Sequence, residues 1–248
     1  MLRTERDLVT VVGADARRYL HGQLSADVDA IEVGQSRWTL VLAPNGRIVS
    51  LARIHRAAET AFEFAIDAGY GADLAARLQR FKIRVDVDID VAGARTVVTD
   101  DDGPLVGWWG DGTWRVDPDT SADADDQAAH DHARTTAGWP AMGSEIVPGE
   151  TIPAETGIVN WAASLTKGCY PGQELVERMD SRGATAPRRL RRFCWDPGTA
   201  PTIAPGDPVV DEQGDEVGVY TSVAGDVALG YVKRGSAAGV EPGPPTAD

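Results

Sequence analysis

Val9 to Val12 is a short β-branched run, and behind Gly13 the segment 14–28 spaces Ala16, Tyr19 and Leu20 for one buried helical face. Two apolar runs follow, 37-RWTLVLA-43 and 47-RIVSLARI-54, and the Pro44-Asn45-Gly46 between them predicts a hairpin. The segment 61-AFEFAID-67 alternates strictly, as a half-buried strand does. From 70 to 81 the period lengthens, with Tyr70, Leu74, Leu78 and Phe81 on one helical stripe. Alternation returns in 83-IRVDVDIDV-91, which predicts another strand. This order of elements predicts an α+β fold rather than a doubly wound sheet.

Beyond residue 94 the elements shorten. 94-ARTVVT-99, 105-LVGWW-109 and 113-TWRV-116 predict small strands. The stretch 121–138 predicts an acidic helix capped by Ser121 and closed by Gly138. A Gly/Pro-rich passage, 138–157, reads as loop, and a helical segment ends near Arg178. After 188 the runs 189-RLRRFCW-195, 208-PVVDEQ-213, 216-EVGVYTSV-223 and 227-VALGYVKR-234 predict a small antiparallel barrel or sandwich. The tail 239-GVEPGPPTAD-248 has the composition of a disordered segment.

Composition narrows the function classes. The 248 residues carry a formal charge of −14, which repels nucleic-acid backbones, so no direct nucleic-acid partner is expected. No apolar window is long enough for a membrane span, and MLRTERDLVT lacks an apolar core for a secretory signal. With two cysteines there is no disulfide framework, and a cytoplasmic setting is expected. The charge is uneven: residues 100–131 hold ten aspartates and one arginine, whereas 182-RGATAPRRLRR-192 holds five arginines and no acid. That cluster is either strand-edge decoration or a receiver of an anionic ligand or partner.

The most concentrated chemistry lies in 167-KGCYPGQELVER-178. Lys167 is the nearest fixed charge to Cys169 and favours its thiolate. Gly168 and Gly172 permit a tight loop, and Gln173 and Glu174 open a helix whose dipole favours a carboxylate. The residues alone leave a reactive thiol, a ligand-holding loop and a plain structural turn with a buried cysteine all open. A self-contained metal site is not expected. His130 and His132 point to different helical faces, and neither C-x-x-C nor H-E-x-x-H occurs. Walker A, G-x-G-x-x-G and G-x-S-x-G patterns are also missing.

KGCYPGQE matches the K-G-C-Y-x-G-Q-E signature of YgfZ-type folate-binding proteins, relatives of the glycine cleavage T-protein (aminomethyltransferase). Further segments are similar to that family: 20-LHGQLSADV-28, 42-LAPNGRIVS-50, 138-GWPAMGSEI-146, 153-PAETG-157, 178-RMDSRG-183 and 188-RRLRRF-193. These segments run from 20 to 193, and the resemblance as a whole covers roughly residues 8 to 234. Two positions depart from the pattern. Ala26 stands where an asparagine is common, and Ser50 stands where aminomethyltransferases carry their catalytic aspartate. A serine cannot hold that charge, which argues against aminomethyl transfer.

The resemblance implies a T-protein-like α+β fold, with lobes around a central folate site and a C-terminal antiparallel β-barrel. The implied division is 1–93 with 141–187 as a discontinuous folate lobe, 94–140 as a shortened middle lobe, 188–238 as the barrel and 239–248 as a tail. It implies tetrahydrofolate, or a derivative, as cofactor. Glu155, Tyr170, Gln173, Glu174, Arg178 and Asn45 are its implied contacts, and Cys169 with Lys167 forms a redox or partner-facing thiol site. Iron–sulfur enzymes or assembly proteins are the implied partners, with tRNA modification reached through client enzymes. A folate-dependent transferase or demethylase is the alternative, and a binding module without folate a third reading.

Overall fold

Residues 2–99, 114–117, 119–181 and 186–242 are described by the structure, a computed structural model of the chain. The expected strand 105–109, Arg182, Gly183 and the tail residues 243–248 lie outside them.

β1 (Leu2–Val12) pairs on both sides within a six-stranded antiparallel sheet. The order is β2 (Ser36–Leu42), β3 (Ile48–Ala58), β4 (Ala61–Asp67), β1, β5 (Asp88–Thr99) and β6 (Trp114–Asp117). The predicted hairpin is β2–β3, with Leu40 opposite Leu51 and Gly46 at φ 82° in its turn. Alternation puts Val9, Val11, Phe62, Phe64 and Ile54 on one face, all fully buried. α1 (Ala16–His21) and α2 (Gly71–Arg80) supply Tyr19, Leu20, Leu74 and Leu78 to the same core. Each such side chain contributes about 1.5–3 kcal/mol on burial, so this layer dominates the stability.

Two predicted elements come out differently. The strands expected at 83–91 and 94–99 are one strand, β5, beginning at Asp88. Its register against β1 shifts between Leu8/Gly93 and Val9/Val91, so one extra residue bulges there. A bulge flips the alternation by one position, which made one strand look like two. Residues before Asp88 fold instead against the start of α1, where Asp86 N–H donates to Asp15 Oδ2 at 2.9 Å. The acidic helix, α3 (Ala124–Ala137), is capped by Asp123 rather than Ser121. Asp126 N–H donates to Asp123 Oδ1 at 2.8 Å and the Asp126 carboxylate accepts from Asp123 N–H, a reciprocal box that Ser121 lies too far out to make.

The loop passage 138–157 carries one short helix, α4 (Pro153–Thr156), and α5 (Val159–Ala162) and α6 (Gln173–Ser181) follow. The four C-terminal strands are β7 (Arg188–Cys194), β8 (Pro208–Val210), β9 (Glu216–Ala224) and β10 (Val227–Lys233). Their pairings establish an antiparallel sheet ordered β7-β10-β9-β8, with β7 and β8 outermost. Phe193 meets Tyr220 edge-on at 5.0 Å inside its small core of Val209, Ala228 and Val232. The tail is ordered at its start, where Val240 bridges Arg192. Among the described residues no helix is long and apolar enough to cross a membrane.

Candidate functional site

Lys167 fixes the cysteine loop by reaching the 21–26 segment. Its Nζ donates to the carbonyls of His21, Leu24 (2.7 Å) and Ala26 (3.1 Å). An ammonium has three protons, so this set leaves none for the thiol of Cys169. Burial pushes the ammonium down to about 8, opposed by Asp27 and Asp29. The lysine therefore ties 167–174 to the 21–26 segment, and also lies 5.2 Å over the ring of Tyr170.

The other end of the loop is fixed by glycines. Gly172, at φ 83°, lies where a Cβ would stand 2.5 Å from Ala43 O and 2.9 Å from Gly46 Cα. Gly46 is equally closed, with Leu175 Cβ 2.4 Å from the position of an added Cβ. The β2–β3 turn is thus clamped beneath α6. Across it, Ile48 N–H donates to Thr151 O and Gly149 N–H to Ile48 O, at 2.9 and 2.7 Å. Asn45 is exposed in this turn and its Oδ1 accepts from Arg47 N–H at 3.1 Å.

Between these anchors Cys169 is free and exposed. Tyr170 is buried; its hydroxyl has no hydrogen-bond partner among the described residues, and burial pushes it up to about 12. Gln173 Oε1 accepts from Tyr170 N–H at 2.8 Å and its amide donates to Glu177 at 3.3 Å. Its side chain is therefore engaged in shaping the α6 start. Glu174 and Arg178 are exposed on that helix.

Glu155 is buried on α4 and accepts from Arg188 Nη2 at 3.2 Å. Arg188 in turn stacks 4.2 Å over Tyr231, whose hydroxyl is pushed strongly upward by burial and then by Glu145 and Glu155. Beside this cluster is a cleft of ≈ 230 Å³ between α4, α5 and α6, with apolar walls from Val159, Leu175, Val176 and Met179. Asn160 and Arg189 supply its polar lining.

The structure adds the burial of Ser50 and two side-chain groupings that the sequence alone does not bring together. Ser50 is fully buried on β3, and its hydroxyl has no hydrogen-bond partner among the described residues. Arg134 and Glu145 form a buried ion pair at 3.1 Å that Ser222 and Thr221 complete from β9. Glu145 lies within the family-like segment 138-GWPAMGSEI-146 and Arg134 four residues before it. His21, Asp27 and Asp29 also come together, their ligand atoms within 4.8 Å, although Asp29 already accepts from Arg17 at 2.7 Å. Among the described residues this is the group that could hold a metal ion; no ion is present.

No family model matches the chain. It is 27% identical over 244 residues to the mitochondrial iron–sulfur cluster assembly factor IBA57 homolog of Neurospora crassa, covering 83% of this chain and 56% of that protein. The human mitochondrial factor IBA57 is 34% identical over 101 residues, 40% of this chain and 28% of that protein. The structure overlays the glycine cleavage aminomethyltransferase T of Bartonella henselae with a TM-score of 0.73 at 20% identity, covering 94% of this chain and 78% of that one. The chain is thus similar in sequence to IBA57 assembly factors and in fold to the T-protein. It spans just over half the length of the Neurospora relative. The T-protein likeness carries fold alone, and Ser50, lacking a carboxylate, sits inside that fold at full burial.

Proposed function

We propose that this chain is a tetrahydrofolate-binding accessory protein in iron–sulfur cluster assembly or repair, serving tRNA modification through its client enzymes. The observation that carries the reading is the exposed Cys169 held between two anchors, the Lys167 carbonyl cage and the Gly46–Gly172 contact. So much local structure around one solvent-facing thiol is more than a turn requires, and it suits a group presented to a partner. Two free, exposed cysteines also suit a reducing compartment such as the cytoplasm.

The α4–α6 cleft fits one end of a folate. Its apolar walls suit a flat heterocycle, Asn160 offers an amide, and Arg189 can receive a carboxylate. At ≈ 230 Å³ it falls below the range of roughly 300–1,000 Å³ usual for drug-sized ligands, so the ring would enter and the glutamate end would stay outside. Bound tetrahydrofolate would supply a reduced pterin able to carry a one-carbon unit. Ser50, buried and uncharged, offers no base for transferring that unit.

Calorimetry with tetrahydrofolate is the direct test, and neither heat nor thermal stabilisation would remove the folate half of the reading. For the thiol, Cys169→Ala should fail to restore iron–sulfur enzyme activity in a deletion strain. Full restoration would make the cysteine structural.

A further inference from the structure

An outer strand leaves a row of backbone N–H and C=O groups open to pairing with another chain. β7 is such a strand, and the protein covers one rung of it with its own tail. Val240 N–H donates to Arg192 O and Arg192 N–H donates to Val240 O, both at 2.8 Å. The next residue, Glu241, places Oε1 3.1 Å from Arg189 Nη1 and 3.4 Å from Arg191 Nη1. Those arginines share one face of β7 and, with Lys233 and Arg234, line a groove of ≈ 280 Å³. In a chain of net charge −14 this is a local reversal of sign.

The tail is a poor strand for this edge. In the antiparallel register set by Val240 and Arg192, the next rung falls opposite Leu190, where the tail has Pro242. Proline has no N–H to donate, and Pro244 and Pro245 repeat the defect in sequence. The tail crosses β7 only because residue 239 is glycine: at φ 68°, a Cβ there would lie 2.9 Å from Arg191 Cβ and from Phe193 Cζ. What holds it is one rung, the packing of Pro242 against Gly138, and the pairing of Glu241 with two arginines, its side chain 60% exposed.

We propose that the β7 edge is a docking site for an extended acidic segment of a partner protein, for which residues 239–242 are a built-in, displaceable stand-in. The partner strand would pair with Leu190 as well as Arg192. It would carry acidic side chains at alternate positions, opposite Arg191 and Arg189, and a non-proline residue between them. Main-chain pairing supplies the affinity, and the arginines supply the choice of partner.

The test is a fluorescence-anisotropy titration of the full chain with labelled Gly-Val-Glu-Val-Glu-Gly, which has valine where the tail has Pro242. Val240→Pro removes the rung's N–H, and Glu241→Gln releases the arginines. Both should tighten probe binding, the first on the order of tenfold, because a tethered competitor is lost. Arg191→Glu should abolish binding, and so should N-methylation of the probe's second valine, the one at the place of Pro242. The idea is overturned if the probe fails to bind the Val240→Pro chain, or if the methylated probe binds as well as the plain one, which would leave charge neutralisation alone. Failure of excess unlabelled peptide to displace the probe would assign its signal to the label and overturn the idea as well. Both tail variants lie outside the core, so a fold failure would not obscure the result.

Discussion

Gly46 and Gly172 are in backbone contact, each with a positive φ and each leaving no room for a Cβ on the other's side. This pair joins the β2–β3 turn to the cysteine loop. Gly172→Ala would drive a methyl to 2.5 Å from Ala43 O in a strained conformation. It should lower stability by about 2 kcal/mol or more. Gly168→Ala is the control: nothing lies within 4 Å of its Cβ position, so urea denaturation should find it within about 0.5 kcal/mol of the parent.

Lys167→Met keeps most of the unbranched side chain, one atom shorter, and removes its three donors. The carbonyls of His21, Leu24 and Ala26 then lose their partner, at a cost of about 1–3 kcal/mol. Amide exchange should report the loss first around residues 21–26. A loss confined to the Cys169 thiol, with those amides unchanged, would contradict the carbonyl cage.

His130 gives the chain an acid-sensitive contact. It is buried beside the Arg6 guanidinium, whose Nη2 lies 3.1 Å from its Nε2, and burial depresses the imidazole to about 4. The folded pKa is below the unfolded value of about 6.5, so the unfolded chain binds more protons between them. The contribution is complete above pH ~6.5 and is lost as pH falls toward 4, a change on the order of 3 kcal/mol. Chemical denaturation of the parent and of His130→Gln across that window should converge at low pH.

The Arg134–Glu145 pair joins α3 to the C-terminal sheet through Ser222 and Thr221. Glu145→Leu leaves a buried guanidinium without its counter-charge and should cost about 3–5 kcal/mol. Replacing both residues by apolar ones should cost less than the two single changes summed. Additive losses in a double-mutant cycle would show that the pair is not coupled.

Legibility in the sequence follows the range of the interactions. The β2–β3 hairpin and α2 are set by neighbours a few residues apart, so Pro44-Asn45-Gly46 and the stripe through Leu74 and Leu78 are legible directly, whereas the helix expected over 14–28 is confined to Ala16–His21. β5 was misread as two strands because its bulge forms only against β1. The Asp123 cap lost to Ser121 in the reading because both residue types suit an N-cap, and two positions separate them.

The sequence by itself determined the α+β order of elements, the turn at Pro44-Asn45-Gly46, the start of the helix at Gln173, and the set of residues crowded into 167–174. It could not say where the long side chains go. The amide of Gln173 turns back on its own loop, Lys167 reaches the carbonyls of 21–26, and Glu155 lies against Arg188. Nor could it show that the arginines of β7 hold the chain's own Glu241. Those outcomes depend on donors and acceptors far apart in the chain and brought together by packing, so the tertiary structure alone decided them.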